Sequence, residues 1–536
     1  MGRAQRDPTF PKSSQSDATT ILHSSFIIDN TMAQQQQHFL TLKPVPALIG
    51  GEPLLSSPTT FDVNRPERGA DSKVHTVVSC SVQDAKQAAD AAAQAFPAWK
   101  ATSFSERRKI FLKAASLLTD RLEEYTNLTV EETCLDLSFA GFELANLAVP
   151  GLEETASVIS SALKGEFPRI DATGRRELIQ REPFGVVLGI APWNAPFFLA
   201  LRAILNPLAA GNTCILKTSE NAPRTHLAVA QLLYDAGLPK GVLSVVHASP
   251  ETVVEVTNAL IHHPAVRKIN FTGSTRVGRL IGIEAAKAIK PVVLELGGKA
   301  PQIVLADADL KIAANNAVIG STMNNGQICM STAIILVDQR IEKPFLEEVQ
   351  RIYDENKDTL QQYRKSSPGK VRALFSAASA KRANEILQAT LHDGATIAAG
   401  HANNTNLEEA IVAPVVVSGV KPEMRLFQEE AFAPMLSITT FKTEAEAISL
   451  ANRNAAGLAA AVYSANEVKA LRVAQQLESG QVHVNSITVH DHPSIPHGGW
   501  KESGFGRFNG THGLHEFTQT RTITMSEPHE IPLLAI

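Results

Sequence analysis

Val186-Val187-Leu188-Gly189-Ile190 is a short apolar run that ends in the loop Ala191-Pro192-Trp193-Asn194-Ala195 and then in the helical stretch Pro196–Ala210. The unit repeats at once. Thr213–Lys217 is a second apolar run, followed by the helical stretch Thr225–Ala236, and Val242–Val246 is a third, placed after Gly237. Strands alternating with helices predict a parallel α/β sheet. The pattern restarts after Gly297 with Gln302–Leu305, Ala308–Gly320, Ala333–Val337 and Lys343–Asn356, which predicts a second α/β domain. Upstream, Gln83–Trp99 is Ala-rich and amphipathic, and Ser105–Tyr125 carries apolar residues at helical spacing.

The bulk composition agrees with this reading. A chain of 536 residues is too long for one ordinary core, so two or three domains are expected. Hydrophobic residues make up 44% and charged residues 19%, as in a soluble globular protein. The net charge of −4 offers no basic field for nucleic acid or an anionic membrane. No apolar run reaches the roughly 18–20 residues of a membrane span. Cys80, Cys134, Cys214 and Cys329 are far apart without CxxC spacing, which argues against zinc and against a disulfide framework, and favours a reducing compartment. Residues 1–45 are rich in Ser, Thr, Gln and Asp and read as a disordered tail. Arg3, Arg6 and Lys12 hint at a mitochondrial transit peptide and Asp7, Asp17 and Asp29 weaken it, so a cytoplasmic location is expected; Met32 is an alternative start.

Three residues carry the chemistry. Cys329 lies in Asn325-Gly326-Gln327-Ile328-Cys329-Met330-Ser331, Glu295 in Leu294-Glu295-Leu296-Gly297-Gly298-Lys299, and Asn194 in the loop already quoted. A thiol, a carboxylate and an amide are the parts needed for covalent chemistry on a carbonyl: attack, water activation and oxyanion stabilisation. Each residue also has a plainer reading. Cys329 alone could be a buried structural cysteine, Asn194 an N-cap for the helix near Pro196, and Glu295 a strand-end carboxylate paired with Lys299. Burial is expected to raise Glu295 toward the range of a general base.

These blocks resemble the aldehyde dehydrogenase superfamily from roughly Ile49 to Thr524, together with Ile215-Leu216-Lys217-Thr218-Ser219-Glu220, Phe271-Thr272-Gly273-Ser274-Thr275, Glu429-Glu430-Ala431-Phe432-Ala433-Pro434 and Gly498-Gly499-Trp500-Lys501-Glu502-Ser503-Gly504-Phe505-Gly506-Arg507. One such block is weak; the full set in this order is specific. The resemblance implies an α/β fold with a Rossmann-like NAD-binding domain (residues 46–163 and 184–296), an α/β catalytic domain (297–507) and a small β oligomerisation arm (164–183 and 508–525). Gly165–Arg169 and Arg175–Arg181 read as a hairpin around Asp171-Ala172-Thr173-Gly174. The family's arm reaches a neighbouring subunit, so a homodimer or homotetramer is expected.

The resemblance also implies NAD, with NADP possible, bound by Ile190, Trp193, Lys217, Glu220, Gly273, Ser274, Glu430 and Phe432. Lys217 and Glu220 would hold the ribose hydroxyls, and Glu220 would repel a 2′-phosphate. Gly273 and Ser274 would meet the pyrophosphate at a helix N-terminus, although Thr-Gly-Ser-Thr is equally an ordinary capped turn. Gly504-Phe505-Gly506 starts like a dinucleotide fingerprint but has Asn509 where a third glycine belongs, and is rejected as a phosphate loop. No metal site is expected. Three positions depart from the family: Ala433 in place of a usual Gly, His247-Ala248-Ser249-Pro250-Glu251 in place of a Gly-rich loop, and His497 where Phe is frequent. None is expected to touch the catalytic residues.

Two blocks, Gly326–Thr332 and Asn485-Ser486-Ile487-Thr488-Val489-His490-Asp491 with Phe505–Phe508, look like the salicylaldehyde, vanillin and benzaldehyde dehydrogenase branch. Arg202 lies a little over two turns past Asn194 on an otherwise apolar helix. With Phe198 and Met330 it is expected to line the substrate tunnel, where it would bind a phenolic oxygen; the plainer reading pairs it with a buried acid or a neighbouring subunit. The expected reaction is oxidation of an aldehyde, aromatic in this branch, to the acid, in biosynthesis or catabolism. A semialdehyde dehydrogenase with an aliphatic substrate and an inactive scaffold of the same fold are the alternatives.

Overall fold

The computed structural model describes residues 38–528 apart from residues 58, 67, 69–71, 170–174, 357–372 and 404. Its first sheet has eight strands in the order Glu52–Leu54, Ala47–Ile49, Leu243–Val246, Thr213–Lys217, Val186–Ile190, Val266–Thr272, Val292–Glu295, Gly504–Phe505. The five central strands run parallel and the edges are antiparallel. Both faces of this sheet are covered, which is why its strands read as unbroken apolar runs. Leu188, Ile215 and Ile269 pack on one side, and Val187, Leu216 and Val245 on the other, into separate cores. Helix Pro196–Ala209 is buried along its whole length, as its all-round apolar surface requires.

From Val186–Ile190 the chain builds outward first through Thr213–Lys217 and Leu243–Val246, then returns to the opposite side through Val266–Thr272 and Val292–Glu295. The strand order therefore reverses beside Val186–Ile190, and ligands bind at the carboxyl ends of strands at such a switch point. The register puts Ile190 opposite Lys217 and Phe271, and Glu295 opposite Thr272. One sheet edge thus collects the ends of four strands that carry candidate residues.

The second sheet has seven strands in the order Thr396–Ala399, Val415–Ser418, Met435–Phe441, Thr332–Asp338, Ala300–Val304, Ala459–Tyr463, Gln481–Val484, all parallel except the first. It too is packed on both faces, with Ile334 and Leu336 in one core and Ile335 and Val337 in the other. Among the described residues no helix is long and apolar enough to cross a membrane.

Four expectations change. The expected hairpin is reduced to one bridge between Glu166 and Ile179; Arg175–Pro183 instead pairs along nine residues with Thr518–Ser526 of the same chain. The turn at 171–174 lies outside the described residues. The boundary of the tail at residue 45 falls inside ordered chain: Phe39–Thr41 is a 3-10 turn with Phe39 and Leu40 buried, and the Phe39 N–H donates to Gln231 Oε1 at 2.7 Å. The rest of that tail lies outside the described residues. Ser105–Tyr125 is two helices, Phe104–Asp120 and Leu122–Glu132, broken at Arg121, whose backbone is non-helical (φ −112°, ψ 23°) and whose side chain pairs with Asp235. Finally, Gly504–Phe505, assigned to the catalytic domain, closes the edge of the first sheet against Leu294 and Glu295. A Cβ on Gly504 would sit 2.0 Å from the Leu294 carbonyl oxygen, so glycine here serves close strand approach.

Candidate active site

Cys329 lies between helix Leu310–Thr322 and strand Thr332–Asp338. The turn before it is wound left-handed through three residues, Asn324 (φ 48°), Asn325 (φ 56°) and Gly326 (φ 70°). Asparagine and glycine tolerate this region best. Hydrogen bonds hold the strained turn in place: Asn324 Nδ2 donates to the Asn194 carbonyl at 2.8 Å, and Asn325 Nδ2 to the Ala373 carbonyl at 3.1 Å. Asn194 replies through its own side chain, whose Nδ2 donates to the Gln327 carbonyl at 2.9 Å. The helix cap at Pro196 is Ala195, which makes no side-chain bond, so Asn194 is not an N-cap. Gly298 underlies the Cys329 peptide; a Cβ there would stand 2.0 Å from the Cys329 carbonyl oxygen.

The Cys329 thiol donates to Glu295 Oε1 at 3.1 Å. Burial, then the adjacent carboxylate, push the thiol well above its ordinary range. Glu295 is 1% exposed. Burial was expected to raise its carboxyl, and burial is indeed the largest single influence, but His497, Arg202 and the thiol together outweigh it and leave the group below the ordinary glutamate range. The correction has a geometric cause: Arg202 Nη2 lies 3.5 Å from Glu295 Oε2, and His497 Nε2 lies 3.6 Å from Oε1. Lys299 is not its partner; burial lowers that ammonium to about 8, opposed by Glu430 and Glu429.

Arg202 is buried, and its Nη1 pairs with Asp491 Oδ2 at 2.8 Å. The plainer reading of Arg202, a partner for a buried acid, therefore holds for that nitrogen. Its guanidinium also lies over the rings of Phe508 (4.7 Å) and Phe198 (5.3 Å). Phe198 and Met330 are both buried, and the Met330 carbonyl accepts from Thr488 Oγ1 at 2.7 Å. His497 is fully buried and touches Glu295, against the expectation that none of the three departures reaches a catalytic residue. Its partner could not be seen from the sequence, because the two meet only once Gly504–Phe505 folds back on Val292–Glu295.

The cofactor candidates gather along the same edge. Lys217 is a buried lysine whose ammonium burial depresses and whose nearest balancing charge is Glu220. Glu220 is half-buried, and Asn221 Nδ2 donates to it at 3.4 Å. Ser274 caps helix Thr275–Lys287, which carries no acid in its first turn. Glu430 Oε1 accepts from the Gly298 N–H at 3.1 Å, and burial raises its carboxyl to about 7. Phe432 has a left-handed backbone (φ 51°), with its ring edge-on to Trp193 at 5.8 Å. Trp193 also stacks on Phe375 at 4.0 Å, and Phe375 N–H donates to Gln327 Oε1 at 3.0 Å. Phe375 escaped the sequence reading because nothing around it is distinctive. A buried lysine short of a strong partner, an acid-free helix N-terminus and a protonatable buried glutamate fit a dinucleotide with its pyrophosphate and ribose hydroxyls.

Comparison with known proteins settles the family. The model of the aldehyde dehydrogenase family matches residues 55–523. The chain belongs to the aldehyde dehydrogenase family. This aldehyde dehydrogenase is 40% identical over 495 residues to the vanillin dehydrogenase of Pseudomonas fluorescens, covering 91% of this chain and 99% of that one. It is 37% identical over 460 residues to the salicylaldehyde dehydrogenase of Pseudomonas putida, covering 84% and 92%. Its structure superimposes on the crystal structure of a salicylaldehyde dehydrogenase from Pseudomonas putida G7 complexed with salicylaldehyde with a TM-score of 0.86 at 34% identity, covering 91% and 99%. The chain is thus an NAD(P)-dependent oxidoreductase that oxidises an aldehyde through a cysteine thiohemiacetal.

Proposed function

We propose that Cys329 is the nucleophile, Glu295 the general base and Asn194 the oxyanion donor, and that the substrate is an aromatic aldehyde. The observation that carries this reading is the 3.1 Å contact between the Cys329 thiol and the Glu295 carboxylate. The thiol is held protonated at rest by burial and by that carboxylate. Its proton therefore passes to Glu295 Oε1 as sulfur bonds to the carbonyl carbon. The carbonyl oxygen becomes an oxyanion, met by the Asn194 amide and the Cys329 N–H. The chemistry a bound NAD(P)⁺ supplies is acceptance of hydride from the thiohemiacetal carbon. Once Glu295 has released the thiol's proton to solvent, its carboxylate takes a proton from water as the water oxygen bonds to the thioester carbon; the C–S bond then breaks, the acid leaves and the sulfur takes the proton back from Glu295.

Aromatic substrates are supported by the named relatives and by the rings of Phe198 and Phe508 around Arg202. Arg202 Nε has no partner among the described residues, leaving one buried donor for a hydroxyl on the substrate ring. Glu220, beside Lys217 at the ribose end, favours NAD over NADP. The two-stranded ribbon of Arg175–Pro183 and Thr518–Ser526 supports a homodimer or homotetramer, since two strands are marginal alone.

NADH formation with benzaldehyde, salicylaldehyde, vanillin and short aliphatic aldehydes tests the proposal. Turnover is expected on the aromatic set, faster with NAD⁺ than NADP⁺, and absent in Cys329→Ala. Arg202→Leu should depress salicylaldehyde more than benzaldehyde, because only the former offers a ring hydroxyl. Activity confined to aliphatic aldehydes would replace the substrate assignment with that of a semialdehyde dehydrogenase.

A further inference from the structure

His497 occupies a position where the family frequently carries an apolar ring. Here it is a fully buried imidazole with no hydrogen-bond partner on either ring nitrogen among the described residues. Its nitrogens instead face two carboxylates: Nε2 lies 3.6 Å from Glu295 Oε1 and Nδ1 lies 3.9 Å from Asp491 Oδ2. Arg202 faces the same two acids from the other side, at 3.5 Å and 2.8 Å. Glu295, His497, Asp491 and Arg202 therefore form a closed ring of alternating acids and bases. Asp491 is fixed further by Asn509 Nδ2 at 2.7 Å.

The mount of His497 is rigid. Its backbone forms an antiparallel bridge with Phe508, donating at 3.1 Å and accepting at 2.8 Å. The Phe508 ring lies under Arg202. One short bridge thus sets both His497 and the ring that supports Arg202 beside Glu295. The other titratable neighbours are Cys329, bonded to Glu295, Glu430, whose buried carboxyl Glu295 helps to raise, and His483, which burial first and then its neighbours His490 and His497 hold down at about 4.

We propose that His497 is a positioning residue for Glu295, turning Oε1 toward Cys329 and keeping the carboxylate ready to receive the thiol proton. The inference rests on the reading of Glu295 as the base. Two acids are buried beside one guanidinium, and the imidazole standing between them is the second polar neighbour of Glu295, which together with Arg202 and the thiol outweighs burial and holds its carboxyl low. An apolar ring at 497 would leave Glu295 dependent on Arg202 alone, and Arg202 is already shared with Asp491.

The test uses the purified full chain with His497→Phe, His497→Gln and, as a control, Glu295→Gln. The rate of Cys329 alkylation by iodoacetamide is measured against pH, alongside kcat and KM for benzaldehyde; NAD⁺ binding reports that each variant is folded. In His497→Phe the acid limb of both profiles should move to higher pH by about one unit, which is about tenfold at a fixed pH on that limb. KM should stay put. His497→Gln, which keeps a side-chain donor in place of the ring, should recover part of the shift; it also serves as the readable variant if His497→Phe does not fold. Superimposable profiles for wild type and both variants would overturn the proposal, as would a change in KM with unmoved profiles, which would make His497 a substrate contact. If Glu295→Gln itself alkylates and turns over like wild type, the reading of Glu295 as base fails, and the inference with it. A dead Glu295→Gln beside unshifted His497 variants removes only the inference.

Discussion

Cys329 and Glu295 share one proton at rest, and the surroundings decide which of them holds it. Burial raises the thiol while the positive groups around Glu295 hold its carboxyl low, so the proton sits on sulfur. The carboxylate is then available as base across neutral pH and is lost only as pH falls through its depressed value. The acid limb of kcat/KM should therefore lie below the ordinary glutamate range, and Glu295→Gln should abolish that limb while slowing turnover by roughly 10²–10⁴. Asn194→Ala should cost roughly 10²–10³ in kcat with little change in substrate binding, read from steady-state kinetics. Cys329, Glu295 and Asn194 stand out in the sequence because each sits in a block of unusual composition, and the structure brings the three blocks together. His497 and Asp491 were visible as letters but not as neighbours of Glu295, since a charge ring closed by distant segments leaves no local pattern. The lowered Glu295 carboxyl was missed for the same reason: burial can be guessed from an apolar strand, but its counterweights cannot.

Helix Leu122–Glu132 shows how one element finishes another. Its last residue, Glu132, is buried and accepts from the Arg224 and Thr225 N–H groups at 2.8 and 2.6 Å, capping helix Pro223–Asp235 from outside. Thr225 Oγ1 donates at 2.6 Å and His75 Nε2 stands at 2.8 Å. Burial opposes the charged form, yet His75 and these donors prevail and the carboxyl lies low. A depressed carboxyl contributes stability that is present above its unfolded value of about 4.3 and lost as pH falls through the folded one. Glu132→Ala should cost about 3 kcal/mol by leaving buried donors and His75 unpaired, measured as a shift in the urea midpoint, and the gap to wild type should narrow on acidification. Val186–Ile190, Thr213–Lys217, Val242–Val246, Gln302–Leu305 and Ala333–Val337 were legible within two residues, because apolar runs are local signals, whereas Thr396–Ala399, Val415–Ser418, Met435–Phe441, Ala459–Tyr463 and Gln481–Val484 of the second sheet were not read. The ribbon was not: Arg175–Pro183 carries one apolar residue on each face, Leu178 and Ile179, among polar ones, so nothing in it says whether its partner is Gly165–Arg169 or Thr518–Ser526.

At the scale of the whole molecule, that ribbon is a long two-stranded element that is mostly exposed or half-buried. Leu178 pairs with Ile523 and both are only half-buried, so its apolar content is not spent within one chain. A chain ended after Phe517 loses the outer strand while keeping buried Phe517 itself. Its mass in solution, measured by light scattering, should fall to a smaller assembly than that of the full chain. An unchanged mass would remove the ribbon from the proposed interface.

The left-handed turn ahead of Cys329 has a consequence for how this enzyme ages. Asn325-Gly326 is a pair in which, in a loose chain, the glycine nitrogen closes on the asparagine side chain and ammonia is lost. Here Asn325 is buried, its backbone is wound left-handed and its amide is held by the Ala373 carbonyl. Ring closure must wait for the turn to open. Deamidation at Asn325, followed by mass spectrometry during storage, should therefore act as a clock that counts openings of the Cys329 loop. Saturating substrate or cofactor should slow that clock, and each tick should retire one active site.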